Sequence, residues 1–181
     1  MLELAQKLAD CDNSFFGGWI LAGTDITIAG NVVRLENKLL LHKARRSIYQ
    51  VQGFDSRGAV AKELRAVLVL PEAGAGPSLR EEEPAGKLIY SHAFTVEEIG
   101  EYIALTGDQN IIHQGEHPIV PGICMAWYLQ KSLGLKALNW SLRYQGPVYA
   151  GDELAVYAAE GAYQAYVGKI PVFKIKLKDV L

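Results

Sequence analysis

The chain has 181 residues, half of them apolar and about a fifth charged, with a formal net charge of −2. That length suffices for one large domain or two small ones with a substantial core. The balanced charge, with no basic run and no aromatics interleaved with Lys and Arg, argues against nucleic-acid binding; no apolar run nears the ~20 residues that span a bilayer.

The opening MLELAQKLAD puts Leu2, Leu4, Ala5, Leu8 and Ala9 near one helix face. Its acidic residues, and the lack of a basic start and small-residue cleavage site, do not fit a signal peptide. Cys11 and Cys124 lie far apart with no CxxC or Cys/His spacing. Reduced thiols in a cytoplasmic protein are the expectation. FFGGWILAGTDITIAG then shifts to Gly and β-branched residues, a turn followed by a strand. Strands are expected at about 32–43, 46–55 and 59–70, with DSRG at 55–58 as a hairpin turn.

PEAGAGPSLREEEPAG, at 71–86, has Pro, Gly and charge but no periodicity, and reads as a linker with a solvated REEE run. KLIYSHAF reads as a strand. FTVEEIGEYIALTG reads as an amphipathic helix, with Thr95 as cap and Glu98 at capping-box spacing. A second helix is expected at about 122–133, and a meander closes the chain. The two halves rhyme: each has a helix followed by an antiparallel meander. Either the unit is duplicated and its first copy has lost the leading strand, or the chain is one α+β domain with a long sheet. Duplication gives a partial half at 1–70, a linker at 71–86 and a second half at 87–181.

Between the two central helices lies TGDQNIIHQGEHPIVPG, residues 106–122. Pro121 and Gly122 fall at the start of the second helix. Pro suits a first turn, and Gly lets another group approach the backbone. Free N–H groups and the positive dipole end there favour an oxygen carrying negative charge. Asp108 and His113 lie just upstream, with Asn110 between them to orient the loop. A neutral His removes a proton near pH 7, and a carboxyl group exchanges one with a hydroxyl or water. Together with the Gly122 N–H, these parts can remove a proton next to a carbonyl and expel a β-hydroxyl. Plainer roles compete: Asp108 as a turn former or cap, His113 as a packed histidine, His117 as a loop residue, His42 and His92 as strand residues. No convincing further ligand joins Asp108, His113 and His117, so no metal is expected.

TGDQNIIH resembles the signature of MaoC-like (R)-specific enoyl-CoA hydratases and dehydratases: an aromatic residue, an apolar spacer, then Gly-Asp-x-Asn-Pro-x-His. Tyr102, Gly107, Asp108, Asn110 and His113 carry it, and Ile111 replaces the Pro. HQGEHPIVPG is similar to the active-site segment of β-hydroxyacyl-ACP dehydratases of fatty-acid synthesis, with His113 nine positions before Gly122. Those enzymes carry an acid where this chain has Trp127. The run SLRYQGPVYAGDELAVYA is also similar to strands of such proteins.

The resemblance implies a hot-dog fold, α+β, with an antiparallel sheet wrapped around a central helix and a double hot-dog whose first copy is truncated. It implies reversible hydration and dehydration of a (3R)-hydroxyacyl thioester without a cofactor. His113 would act at C2 and Asp108 on the 3-hydroxyl, with Gly122 and Asn110 binding the substrate or holding the loop. Ile123 and Trp127 would line an acyl tunnel or pack the core. ELAQ resembles the Gln-containing helix of the ACP-dependent enzymes, but the acid's place, four before Gln6, falls on Leu2. The first half would then be structural, unless Glu3 reaches a site between the halves. The implied partner is an acyl-CoA or acyl-ACP, with neither nucleic acid nor membrane, in an internal pseudo-dimer or a homodimer. A hot-dog thioesterase, a non-catalytic acyl-thioester binder and a double-bond isomerase are the rivals.

Overall fold

A computed structural model describes residues 1–11, 17–72 and 80–178. In chain order the elements are α1 (Leu2–Ala9), β1 (Ile20–Ile28), β2 (Arg34–Lys43), β3 (Arg46–Phe54), β4 (Val60–Val69), β5 (Lys87–Ala93), α2 (Val96–Thr106), α3 (Gly122–Ser132), β6 (Leu138–Tyr144), β7 (Glu153–Ala159), β8 (Ala162–Val167) and β9 (Ile170–Leu177). All nine strands form one antiparallel sheet, ordered β2-β3-β4-β1-β6-β9-β8-β7-β5.

Local chemistry explains these elements. Thr95 receives the Glu98 N–H at 3.2 Å, and Glu98 receives the Thr95 N–H at 2.9 Å, so the expected capping box opens α2. Gly107, at φ +75°, ends that helix in the left-handed region. In the β3–β4 turn, Asp55 Oδ1 accepts the N–H groups of Arg57 and Ala59, each at 2.9 Å. Along β1 the inward Thr24, Ile26 and Ile28 are buried, while Asp25 and Thr27 between them are half-buried, the period-2 signature of a sheet with one buried face.

The halves repeat one connectivity. In each meander the first strand pairs with the fourth, the fourth with the third and the third with the second. β1 and β6, the two first strands, pair with each other and join the halves. The second half adds β5 outside β7 and α2 in front of α3. One core runs through both halves: Leu4 of α1, Ile26, Leu64, Leu129 of α3, Leu142 and Phe173 belong to it. Fully burying one such side chain contributes roughly 1.5–3 kcal/mol. The helix backed by an antiparallel sheet is the expected hot-dog arrangement.

Of the expected linker, residues 73–79 lie outside the described residues. The REEE run is not simply solvated. The Glu82 N–H donates to the Lys169 carbonyl at 2.8 Å, and Lys169 pairs with Glu83, which holds the run to the β8–β9 turn. No helix among the described residues is long and apolar enough to cross a membrane.

Candidate active site

The segment between α2 and α3 folds by its own hydrogen bonds. Asp108 Oδ1 accepts the Asn110 N–H at 3.0 Å, and Asn110 caps a single 3-10 turn over Ile111–His113. The returning strand is stitched to this hook, since the Ile119 N–H donates to the Ile112 carbonyl at 2.9 Å. Val120 then donates to the Val148 carbonyl at 2.8 Å, which anchors the start of α3 to the loop after β6.

The hook fixes the tautomer of His113. Its Nδ1 lies 2.6 Å from the Ile119 carbonyl oxygen. A carbonyl only accepts, so Nδ1 carries the proton and donates it. In the neutral ring Nε2 is then the free base. Nε2 faces Asp108 Oδ2 at 3.7 Å, an electrostatic contact longer than a hydrogen bond. The His113 ring is buried, while Asp108 keeps about a third of its side chain open, at 32 %. Proton exchange with a ligand is therefore within reach of both groups.

Pro121 is the cap residue of α3 rather than part of its first turn; its ψ of 131° is extended, and the helix begins at Gly122. No side chain caps this end, in contrast to α2. The first N–H groups of a helix have no partner within it, and here Gly122 and Ile123 line a cavity. Gly122 is required by close approach: a Cβ there would stand 2.7 Å from the Tyr144 ring.

Asp108, His113, Gly122 and Tyr102 line one cavity of about 690 Å³. It runs toward the first half, where Ala5, Leu8, Trp19, Leu21 and Leu68 form its apolar wall. Ile123 lines it as expected of a tunnel residue, and Trp127 does not. The Trp127 ring packs edge-on against Tyr128 at 5.3 Å and tilts toward Tyr102 at 6.1 Å, with the Lys131 ammonium over it. The physical reason is packing: these aromatic and cationic neighbours hold Trp127, while α3 gives the cavity Gly122, Ile123 and Met125.

Of the two roles expected of Asn110, binding the substrate or holding the loop, its hydrogen bonds serve the second. Its Nδ2 donates to the Trp19 carbonyl at 2.7 Å, and its Oδ1 accepts the Gly18 N–H at 3.3 Å and the Ile112 N–H at 3.5 Å. Both ends of the amide are engaged, so Asn110 ties the loop to the first half. Glu3 does not reach the loop: it pairs with Lys62 and the terminal amine. Burial pushes its carboxyl up, but the Lys62 hydrogen bond and further favourable contacts outweigh it and hold the carboxyl at about 2. Gln6 donates to the Leu105 carbonyl at 2.8 Å and clips α1 to α2. His117 is exposed, and His92 pairs with Glu98 at 3.0 Å.

Burial pushes the Tyr102 phenol well up, with Cys124 and Asp108 adding to the effect, so the phenol stays neutral at the back of the site. Burial does the same to the Cys124 thiol, which is inert as a nucleophile. Among the described residues no group of three His, Cys, Asp or Glu side chains could hold a metal ion. Two contributors escape the sequence. The Ile119 carbonyl sits in the quoted Pro-apolar-apolar-Pro run, whose apolar residues suggest packing rather than orientation of a histidine. Tyr144 and its neighbour Thr24 meet only through the pairing of β1 with β6.

No family model matches the chain, and no curated protein matches it. Solved structures do. HtdX from Mycobacterium tuberculosis superposes with a TM-score of 0.71 at 17% identity, over 98% of this chain and 86% of that one. A MaoC-like dehydratase superposes with a TM-score of 0.68 at 11% identity, over 98% and 82%. An acyl-ACP thioesterase from Bacteroides thetaiotaomicron superposes with a TM-score of 0.62 at 13% identity, over 98% and 88%. At such identities the likeness shows the fold, and that fold is the hot-dog.

Proposed function

We propose that this hot-dog chain hydrates trans-2-enoyl thioesters and dehydrates (3R)-hydroxyacyl thioesters reversibly, with Asp108 and His113 as its acid–base pair. The observation that carries the reading is the fixed tautomer of His113, whose Nε2 faces Asp108 at 3.7 Å at an uncapped helix start and an apolar cavity. The MaoC-like dehydratase among the superposable structures is in keeping with it.

In dehydration, Nε2 of neutral His113 takes the proton at C2. The C–H electron pair moves to form the C2–C3 double bond as the C3–O bond breaks. The departing hydroxyl leaves as water with a proton from the acid form of Asp108. Proton transfer from His113 back to Asp108 resets the pair; hydration runs the same steps in reverse. The thioester oxygen, gaining charge as C2 is deprotonated, accepts from the Gly122 N–H. Acid–base catalysis of this kind contributes roughly 10²–10⁴-fold, and an oxyanion donor contributes about 3 kcal/mol. The cavity holds the acyl chain against Ile123 and the wall of the first half.

The test is hydration of crotonyl-CoA, followed by loss of enoyl-thioester absorbance, for the wild type, His113→Ala and Asp108→Asn, repeated with longer and carrier-protein-linked chains. Turnover lost in both folded variants supports the reading. Release of free thiol in place of hydration would make the chain a thioesterase. Turnover that survives both substitutions would move the chemistry away from this loop.

A further inference from the structure

We propose that the Tyr144 hydroxyl, backed by Thr24, is a second hydrogen-bond donor to the thioester oxygen, beside the Gly122 N–H. The inference rests on the thioester reading above.

Tyr144 is the last residue of β6, and Thr24 lies in β1. Thr24 is paired with Leu142, two residues before Tyr144. Residues two apart on a strand share a face, so Thr24 and Tyr144 are diagonal neighbours on the inner side of the seam. Among the described residues both hydroxyls are buried with no hydrogen-bond partner. The Thr24 hydroxyl stands close enough to the phenol to favour its ionised form, without a well-formed hydrogen bond between the two. Burial acts more strongly and pushes the phenol well above its usual value, so it stays a neutral donor.

A buried hydroxyl without a partner is costly and rare in a native fold. Phe would fill the same space without that cost, so packing does not require the hydroxyl. The position gives it a use. Tyr144 lines the cavity with Asp108, His113 and Gly122, and its Oη is 2.9 Å from where a Cβ of Gly122 would stand. A ligand oxygen taken up at the start of α3 arrives beside this hydroxyl. Tyr144 then donates to it and accepts from Thr24, which leaves neither hydroxyl unpaired. Thr24 does not line the cavity and acts through Tyr144, as a positioning residue. The third unpartnered hydroxyl, that of Tyr90, lies beside His92 rather than in this cavity.

The experiment compares octanoyl-pantetheine with the S-octyl-pantetheine thioether, which lacks the carbonyl oxygen; both avoid the choice between CoA and carrier protein. Affinities are measured by calorimetry for the wild type, Tyr144→Phe and Thr24→Val, with melting temperatures alongside. The wild type is expected to prefer the thioester. Tyr144→Phe should lose roughly tenfold of that preference, keep its thioether affinity and melt no lower. Thr24→Val, which keeps the phenol, should lose a smaller part. On the enoyl-pantetheine, Tyr144→Phe should raise KM by about the tenfold seen in binding and lower kcat by up to about 10²-fold, since the hydrogen bond strengthens as the oxygen gains charge. A Tyr144→Phe protein that keeps the full preference and kcat overturns the proposal, as does a wild type that prefers neither probe. A wild type that binds neither probe removes the thioester reading as well, and a lower melting temperature with intact preference would mark Tyr144 as structural.

Discussion

The helices α1 and α3 stand before the same kind of meander, and their surroundings differ in the residues that precede and face them. In front of α3 lies the Asp108–His113 hook, and the helix opens on an uncapped glycine at a cavity. Around α1 the polar groups are engaged: Glu3 pairs with Lys62, and Gln6 donates to the α2 carbonyl of Leu105. Neither helix start carries a side-chain cap, but only that of α3 lines the cavity. A helix end becomes a candidate site only when a preceding segment delivers titratable groups to it and no side chain closes it. The first half still contributes: α1, β1 and β4 wall the cavity, and the Gly18–Trp19 backbone holds Asn110.

Substitutions can break this contrast. The largest effect is expected at His113→Ala, with a loss of about 10²–10⁴-fold in kcat in a protein that stays folded but melts somewhat lower, since the Ile119 carbonyl loses its donor, read by enoyl absorbance and thermal denaturation. Gly122→Ala should follow: its Cβ would meet the Tyr144 ring at 2.7 Å, and overpacking of this kind costs about 1–3 kcal/mol, measurable by urea unfolding. Asn110→Ala leaves the Trp19 carbonyl and Gly18 N–H without their side-chain partner. A cost near 1–3 kcal/mol is expected, with kcat falling as the hook loosens. Asn110→Asp, which keeps the acceptor, should recover part of it.

On the α1 side, Glu3→Gln should leave turnover intact and change only the acid limb of stability. The Glu3 carboxyl is held at about 2 against an ordinary 4.5, so its folded-state value is depressed. Its stabilisation is fully present above the ordinary value and is lost as pH falls toward the folded one. Melting curves of wild type and variant should therefore differ by a constant near neutrality and converge as pH falls through that window. A turnover loss in Glu3→Gln would instead give the first half a chemical role. The smallest effect is expected at Ile111→Pro. Ile111 is exposed and opens the 3-10 turn after an extended Asn110 at ψ 122°, a setting that suits Pro. A gain of about 0.4–1 kcal/mol with unchanged kcat is expected, and a loss of folding would show that the Ile111 N–H or side chain matters.

Much of this was legible in the chain because it is written locally. The capping box at Thr95 and Glu98, the hairpin turn at 55–58 and the β-branched run of β1 each follow from residues within a few positions. Asp108 and His113 were legible for the same reason, since one hook brings them together. What the sequence hid depends on distant register. For Trp127 the sequence left tunnel lining and packing open, and only its neighbours Tyr102, Tyr128 and Lys131 decide for packing. Asn110 was legible as a residue that holds the loop, but its tie to the first half was not, because its partners Gly18 and Trp19 are far upstream. Tyr144 looked like an ordinary strand residue until β1 placed Thr24 beside it.

The seam between β1 and β6 lies within one chain, and that changes what dilution and mutation can do to it. Two separate subunits joined this way would part at low concentration, and any substitution would appear on both sides at once. Here the pairing is intramolecular, so its midpoint of unfolding should not depend on protein concentration. Each side also accumulates change alone. The Asp108–His113 hook is present once, and the facing half supplies the apolar wall of the cavity.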